Sequence, residues 1–152
     1  MLDYRAAAEG DGAVPVSAVP VSAAPVSGLA GKRILVVEDE VLIAVMVTDM
    51  LAGLGATVVG PASTIEAGLA LAGSESFDAA VLDINVRGER IDPIADVLDA
   101  RGIPMLFATG YGTSAGAEQR YAPVIDKPYT QERLASALAQ AMAMPTAMGP
   151  AA

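Results

Sequence analysis

Four short apolar runs of the sequence are each followed closely by side chains that can do chemistry. The runs span residues 34–37, 79–82, 104–108 and 124–125, and the side chains after them belong to Glu38 and Asp39, Asp83, Thr109, and Lys127. Runs this short and this apolar are typical of strands buried on both faces of a parallel sheet. Because ligands bind outside the carboxyl ends of such strands, we expect these side chains to converge at one edge of the sheet.

The carboxylates expected at this edge, those of Glu38, Asp39 and Asp83, would repel one another unless a cation lay between them. Oxygen ligands without nitrogen or sulfur favour Mg²⁺ over a transition metal, and a backbone carbonyl at Asn85 could add a further oxygen. The plainer interpretation is that acids after strands only stabilise helix N-termini. The matching positions of Asp83, Thr109 and Lys127 favour the cation site.

A carboxylate beside Mg²⁺ can attack a phosphoryl group and form an aspartyl phosphate. Such a transfer needs little from the protein beyond alignment and neutralisation of charge, which Mg²⁺, the Lys127 ammonium and the Thr109 hydroxyl could provide. Taken singly, Thr109 could be a turn residue and Lys127 a solvated surface charge. Pro128 follows Lys127 and predicts a fixed turn there, with a cis peptide as one way to form it.

Composition excludes several functional classes. The chain has 152 residues, a formal net charge of −9 and a pI near 4.2, so it lacks the basic footprint of a nucleic-acid-binding protein. It has no cysteine and no histidine, which excludes disulfides, Cys/His zinc sites and Ser-His or Cys-His nucleophile pairs. No apolar stretch approaches a membrane span, and the N-terminus lacks the pattern of a signal peptide. We therefore expect a cytoplasmic protein with no nucleic-acid or membrane partner.

The N-terminal part of the chain differs in composition from the rest. Pro-Val-Ser recurs three times at a spacing of five residues between 15 and 27. Prolines at this spacing interrupt helices and central strands, so we predict a disordered extension over 1–30. A partner-docking role for this extension is an alternative, although its prolines lack PxxP spacing. The folded domain is predicted over 31–144 and a disordered tail over 145–152.

Strand and helix signals alternate through the predicted domain. Strands are predicted at the four apolar runs and at 57–59. Helix starts are predicted at Ser63, which would form a capping box with Glu66, at Asp92 before Pro93, and at Thr130. Between 109 and 123, three glycines and few large apolar residues predict only a short helix. Five strands alternating with helices indicate a doubly wound α/β domain with a parallel sheet.

The first predicted helix has apolar residues on two faces. Those predicted to face the sheet are Ile43, Met46, Val47, Met50 and Leu54. Val41, Val45 and Ala52 point the other way, and we interpret them as a docking surface for a partner. Scattered surface apolar residues are the plainer alternative.

From about Gly31 to Met144 the sequence resembles a bacterial response-regulator receiver domain of two-component signalling. The matching residues are the acid pair Glu38-Asp39, then Asp83, Thr109 and Lys127-Pro128. Residues 107–112, Phe-Ala-Thr-Gly-Tyr-Gly, are similar to a receiver subgroup whose members often stand alone and are served by HWE-type histidine kinases. The resemblance implies a flavodoxin-like fold with strand order 2-1-3-4-5.

The same resemblance implies a function. Asp83 would accept a phosphoryl group from a kinase phosphohistidine, with Glu38 and Asp39 as Mg²⁺ ligands. The chain would be a stand-alone phosphoacceptor rather than an enzyme that turns over external substrates. It would signal by contact with a downstream protein or act as a phosphate sink.

Two positions depart from the family pattern. Val124 occupies the place of the aromatic switch residue on the fifth strand, so the usual coupling of Thr109 to an aromatic flip cannot operate in its standard form. Arg87 lies where proline is common, and we predict that it alters only the loop.

Two other functions compete with a phosphorylated receiver. Haloacid-dehalogenase-type phosphatases also use an aspartate nucleophile, but they carry a second aspartate two residues later, where this chain has Asn85. A pseudo-receiver that only binds partners is the other alternative. The complete set of acids, Thr109 and Lys127 argues against it.

Overall fold

Parallel strands covered by helices on both faces make up residues 28–110 and 122–144, the part of the chain that the computed structural model describes. In chain order the elements are β1 (Arg33–Val37), α1 (Val41–Gly53), β2 (Thr57–Ala62), α2 (Ile65–Ser74), β3 (Ala79–Asp83), β4 (Asn85–Val86), β5 (Glu89–Arg90), α3 (Asp92–Arg101), β6 (Met105–Thr109), β7 (Val124–Asp126) and α4 (Gln131–Ala143). The short strands β4 and β5 form a separate hairpin.

The five-stranded sheet has the order β2-β1-β3-β6-β7, and all of its neighbouring strands are parallel. Because β6 and β7 are its fourth and fifth strands along the chain, the predicted order and the doubly wound class are confirmed. Asp83 lies opposite Ala108, and Thr109 lies opposite Asp126. The carboxyl ends of neighbouring strands are therefore nearly level, which brings the residues that follow them to one edge.

The sheet separates two apolar cores. On one face, strand residues such as Leu82 and Phe107 pack with Ile94 and other residues of α2 and α3. On the other face, residues of α1 and α4 such as Leu51 and Leu138 pack against the strands. Every residue of β3 and β6 is buried, which explains why these strands are continuous apolar runs in the sequence.

Two of the three predicted helix starts differ from the structure by one residue. The hydroxyl of Thr64 accepts the capping hydrogen bond of α2 from a backbone N–H at 3.0 Å, so the predicted cap at Ser63 is wrong. Asp92 is the first residue of α3 rather than its cap, and Ile91 occupies the cap position. Thr130 caps α4 as predicted. Adjacent hydroxyl residues leave a capping pattern ambiguous by one position, because the cap is decided by which residue keeps extended backbone.

The buried face of α1 matches the predicted one only in part, since Val47 and Leu54 are buried as predicted. Its buried residues are Ala44, Val47 and Leu51, whereas Ile43, Met46 and Met50 are only half-buried. The buried stripe includes a small alanine, which hydrophobic spacing alone underrates. On the opposite face Val41, Leu42 and Val45 are 74%, 82% and 54% exposed, so the predicted exposed apolar surface exists and includes Leu42.

The packed part of the chain begins earlier than predicted. Leu29 is 2% exposed and lies in the core beside α1 and α4, two residues before the predicted boundary at 31. The earlier part of the predicted extension, the tail from 145 and the centre of the short helix predicted between 109 and 123 lie outside the described residues. No helix within 28–110 or 122–144 is long and apolar enough to cross a membrane.

A short antiparallel hairpin follows β3. Strands β4 and β5 pair antiparallel around a turn at Arg87 and Gly88. Both turn residues have positive φ, 54° for Arg87 and 81° for Gly88. Val86 is fully buried and anchors the hairpin on the core. The turn therefore lies in a fixed position beside the carboxyl edge of the sheet.

Candidate functional site

The ammonium of Lys127 lies among carboxylates at the carboxyl edge of the sheet. Its Nζ is 3.1 Å from Oε1 of Glu38, 3.1 Å from Oδ2 of Asp83 and 3.3 Å from Oε1 of Glu40. The side chains of Lys127, Glu38 and Asp83 are 7%, 4% and 8% exposed, so two of these ion pairs are sheltered from water. Hydrogen bonds between charged groups are stronger in such surroundings than on a surface. Lys127 therefore ties the end of β7 to the ends of β1 and β3.

Three carboxylates converge beside this ammonium. Glu38, Asp39 and Asp83 each offer an oxygen that lies within 4.8 Å of the oxygens of the other two. Asp39 and Asp83 line a cleft of about 600 Å³ together with Thr109 and Lys127. The site thus combines a concentrated negative charge with an opening wide enough for a small anion and a cation.

Backbone groups fix the two buried carboxylates. The N–H of Glu40 donates to Oε2 of Glu38 at 3.1 Å, and the N–H of Asn85 donates to Oδ1 of Asp83 at 3.3 Å. In each case the donor lies two residues after the acid, as in turns that short polar side chains stabilise locally. The chain therefore orients both carboxylates as soon as it turns away from the strand.

The buried acids hold protons more tightly than exposed acids do. Burial raises the pKa of Glu38 from 4.5 to about 7, and the nearby charge of Asp83 adds to the rise, while hydrogen bonds from the Glu40 N–H and from Lys127 oppose it. Burial also raises the pKa of Asp83, although the Lys127 ammonium lowers it in part. Burial is therefore the main reason that both carboxyl groups hold their protons.

The basic and phenolic groups of the site keep their protons. Burial lowers the pKa of Lys127, but the charges and hydrogen bonds of Asp83 and Glu38 raise it by more, so the pKa lies above its ordinary value. Burial and the charge of Glu38 raise the pKa of Tyr129 to about 12. Lys127 is therefore cationic, and Tyr129 neutral, at neutral pH.

Asp39 differs from the other two acids because its pKa is lowered. Burial raises this pKa, but hydrogen bonds to the carboxylate, led by the backbone N–H of Arg87 at 2.8 Å from Oδ2, lower it by more. The guanidinium Nε of Arg87 donates to the Ser63 carbonyl at 3.0 Å. The prediction that Arg87 alters only the loop is therefore wrong. Proline could form neither contact, because it has no N–H and cannot adopt a φ of 54°.

The structure brings together the residues that the sequence placed at this site. Asp83 and Thr109 are buried at the ends of β3 and β6, and the backbone N–H of Lys127 donates to the Thr109 carbonyl at 2.8 Å. Asn85 lines the same cleft at the start of β4. The peptide between Lys127 and Pro128 is cis. These positions agree with the predicted convergence, while the chemical roles of the residues stay predictions.

Two contact residues were missed by the sequence reasoning. Glu40 contacts Lys127 although its side chain is 60% exposed, and the run of three acids from Glu38 was the available signal. Arg87 gave no usable signal, because its contact with Asp39 depends on a positive φ that arginine seldom adopts.

The donor set fits a hard divalent cation. The converging ligands are oxygens, as Mg²⁺ prefers, and they belong to Glu38, Asp39 and Asp83. Asn85, whose carbonyl is the predicted fourth ligand, lines the same cleft. Asp83 also lies beside an ammonium and in one cleft with a hydroxyl, which suits attack of its carboxylate on a phosphoryl group.

Comparison with solved structures finds receiver folds. SdrG from Sphingomonas melonis Fr1 is 45% identical to this chain, and its solution structure matches 72% of this chain and 94% of SdrG with a TM-score of 0.66. A BeF3-activated conformation of SdrG is similar at 43% identity, over 74% of this chain and 98% of SdrG, with a TM-score of 0.62. A CheY-like response regulator receiver domain protein from Methanospirillum hungatei JF-1 has a TM-score of 0.66 over 74% of this chain and 94% of its own, at 24% identity, which shows the fold alone.

Among curated proteins, the phyllosphere-induced regulator PhyR of Methylorubrum extorquens is 29% identical over 115 residues, which are 72% of this chain. The chain spans only 43% of the length of PhyR. No protein-family model matches the chain. The match at 45% identity extends over nearly the whole of SdrG. The strand order and the motif residues at the sheet edge are also those expected of a receiver domain. The chain therefore belongs to the family of CheY-like response-regulator receiver domains.

Proposed function

We propose that this chain accepts a phosphoryl group on Asp83 in a Mg²⁺-dependent reaction and then signals by protein contact or acts as a phosphate sink. The observation that carries the proposal is the setting of Asp83 at the end of β3. Its Oδ2 lies 3.1 Å from the Lys127 ammonium, and its carboxylate is one of three that converge within 4.8 Å. The donor is the phosphohistidine of a histidine kinase, as the family resemblance implies.

The transfer uses groups that already lie around Asp83. One carboxylate oxygen attacks phosphorus while the P–N bond to the kinase histidine breaks. The electron pair of that bond stays on the ring nitrogen, and the proton on the other ring nitrogen makes the leaving group a neutral imidazole. Mg²⁺ held by the acids would neutralise charge on the phosphoryl oxygens. The Lys127 ammonium, in contact with Asp83, neutralises charge at the attacking group. The Thr109 hydroxyl, in the same cleft, offers a hydrogen bond to a further phosphoryl oxygen.

The aspartyl phosphate serves as a signal rather than as an intermediate in turnover. Asn85 occupies the position two residues after Asp83, where a dehalogenase-type phosphatase carries its acid/base aspartate. An amide cannot exchange a proton as a carboxyl does, so it cannot drive repeated hydrolysis of external substrates. This favours a phosphoacceptor over an enzyme with external substrates.

The relatives support control by a phosphoryl group. SdrG adopts a BeF3-activated conformation, and beryllofluoride is a mimic of a phosphoryl group. We extend this behaviour to the present chain because it matches SdrG over nearly the whole of that protein. The match covers less than half of PhyR, so the proposal takes from PhyR only the role of a regulator.

The exposed apolar surface of α1 is the proposed docking site for the histidine kinase, and it is formed by Val41, Leu42 and Val45. The resemblance to the receiver subgroup implies a kinase of the HWE type. A groove of about 380 Å³ borders this surface and is lined by Val45, Asp39 and Pro61 among other residues. A kinase helix seated here would reach the acid cleft, since Asp39 lines both. A kinase partner also implies a cytoplasmic location.

The receiver domain is proposed to cover the predicted range 31–144 together with Leu29, which is buried in its core. Residues 145–152, and the part of the predicted extension 1–30 that precedes Leu29, are proposed to lie outside it, as their composition predicts.

Replacing Asp83 with Asn should abolish phosphorylation. The amide is a far weaker nucleophile, so intact-mass analysis should show no added phosphoryl group after incubation with acetyl phosphate or a phosphorylated kinase. Asp126→Asn is the matched control, because Asp126 is exposed at the end of β7, at the same edge of the sheet. Phosphate retained by Asp83→Asn, or lost equally in Asp126→Asn, would contradict the assignment.

The double variant Glu38→Gln and Asp39→Asn should bind Mg²⁺ at least about 10-fold more weakly while keeping its fold. Calorimetric titration gives the affinity, and circular dichroism checks the fold. Glu132→Gln, on the exposed first turn of α4, removes a charge that lines neither the cleft nor the groove and should leave the affinity unchanged. Wild-type affinity in the double variant would refute the metal role.

The metal-free protein should lose stability as pH rises from about 4.5 to about 7. The pKa of Glu38 is about 7 in the folded state against 4.5 ordinarily, so the folded state binds this proton more tightly and its advantage disappears as the proton leaves. Glu38→Gln removes the titrating group and should flatten this slope, with a gain of about 1 to 3 kcal/mol at pH 8. Urea unfolding in EDTA at pH 5 and pH 8 measures the difference. Parallel slopes for both proteins would show that Glu38 is not the titrating group.

Val45→Glu should slow phosphotransfer from the cognate kinase about 10-fold or more, while labelling by acetyl phosphate stays unchanged. A charge placed at the centre of an apolar contact must be desolvated when the partner binds. Ala70→Glu adds the same charge on the exposed face of α2 and serves as the control. If both donors slow equally, the change has damaged the site and the docking role of α1 is unsupported.

A further inference from the structure

The turn of the β4–β5 hairpin holds an arginine in a backbone conformation that suits glycine or asparagine. Arg87 has a φ of 54° and Gly88 a φ of 81°, as in the two-residue turns that match the twist of a hairpin. A non-glycine residue seldom adopts positive φ unless its surroundings fix it there. At Arg87 two hydrogen bonds to other parts of the chain do so.

These two bonds connect the hairpin to the acid pair and to the loop before α2. The Arg87 N–H donates to Oδ2 of Asp39 at 2.8 Å, and its Nε donates to the Ser63 carbonyl at 3.0 Å. The end of β2, directly before that loop, is bonded to the acid pair, since the N–H of Glu38 donates to the carbonyl of Ala62, the last residue of β2, at 2.9 Å. The acids, the loop and the hairpin turn therefore form a closed ring of hydrogen bonds.

We propose that Arg87 is a positioning residue for the metal site, whose left-handed backbone aims its N–H at one oxygen of Asp39 and leaves the other oxygen for the cation. This role rests on the proposed function, because it assigns Asp39 to a Mg²⁺ ligand set. Glu38 and Asp83 are fixed by N–H groups two residues further along the chain. Asp39 also interacts with its own N–H, but the N–H that donates to its Oδ2 at 2.8 Å lies 48 residues away, so its orientation depends in part on the hairpin.

Positioning matters at Asp39 because this carboxylate is the most accessible of the three. Glu38 and Asp83 are buried, whereas Asp39 is half-buried and would otherwise turn toward water. Partners that orient a ligand typically change metal affinity by about 10- to 100-fold when they are removed. When the Asp39 carboxylate is already oriented, the binding of the cation does not have to supply the free energy of ordering this ligand.

The test separates the backbone of Arg87 from its guanidinium. Arg87→Gly, Arg87→Asn and Arg87→Val all lose the guanidinium and keep the N–H, but glycine and asparagine accept positive φ whereas β-branched valine resists it. Calorimetric titration with Mg²⁺ should give affinities within about threefold of wild type for the first two variants. It should give an affinity about 10-fold weaker for Arg87→Val. Equal affinities for all four proteins would overturn the proposal, and an equal loss in the three variants would assign the effect to the guanidinium.

A second measurement uses no metal. In the metal-free protein the amide proton of Arg87 should resonate downfield in the NMR spectrum and move upfield in Asp39→Ala, while Asp49→Ala leaves it in place. If the chemical shift of the Arg87 amide proton does not change in Asp39→Ala, the hydrogen bond from the Arg87 N–H to Asp39 is refuted. Failure of wild type to bind Mg²⁺ while this amide responds to Asp39→Ala would instead refute the proposed metal site, and with it the positioning role.

Discussion

Repulsion among carboxylates held at one edge of the sheet is the constraint on which the site depends. Parallel pairing sets Glu38 and Asp83 at the ends of adjacent strands, and burial removes the water that would screen their charges. Lys127 is the ammonium that compensates them, with Glu38, Asp83 and Glu40 all within 3.3 Å of its Nζ. One positive charge against several negative ones leaves a surplus. In the proposed function, a divalent cation removes that surplus and so permits an anionic phosphoryl group to approach.

The fold must resist this repulsion, and the double-sided core explains how it does so. Strands β3 and β6 are buried on both faces, and helices cover each side of the sheet. A slip of one residue between parallel strands would turn Asp83 or Thr109 toward the opposite face and bury an unpaired polar group there. The register is therefore fixed by the same apolar side chains that made the strands visible in the sequence. The stable core keeps these like charges close together, whereas on a flexible scaffold they would move apart.

The features that could be predicted from the sequence are those that depend on residues close together along the chain. Buried parallel strands are apolar runs, so their ends, and with them Asp83, Thr109 and Lys127, could be placed at one edge. The face of α1 was predicted less well, because the buried stripe includes the small residue Ala44. Contacts that depend on the conformation of a loop could not be predicted. The bond from Arg87 to Asp39 requires a hairpin, a positive φ and a particular loop position, and no periodicity encodes these.

The two members of the acid pair have different physical roles because different parts of the fold hold them. Glu38 lies inside the site, bound to Lys127, and its raised pKa makes its charge depend on pH and on the cation. Asp39 lies further out, keeps its charge because of its hydrogen bonds, and takes its orientation from Arg87. In the proposed metal site, a cation that approaches from the cleft would therefore meet the ionised ligand Asp39 first and the proton-binding ligand Glu38 second. The hairpin can thus adjust the orientation of one ligand while the buried ion pair separately controls the charge of the other.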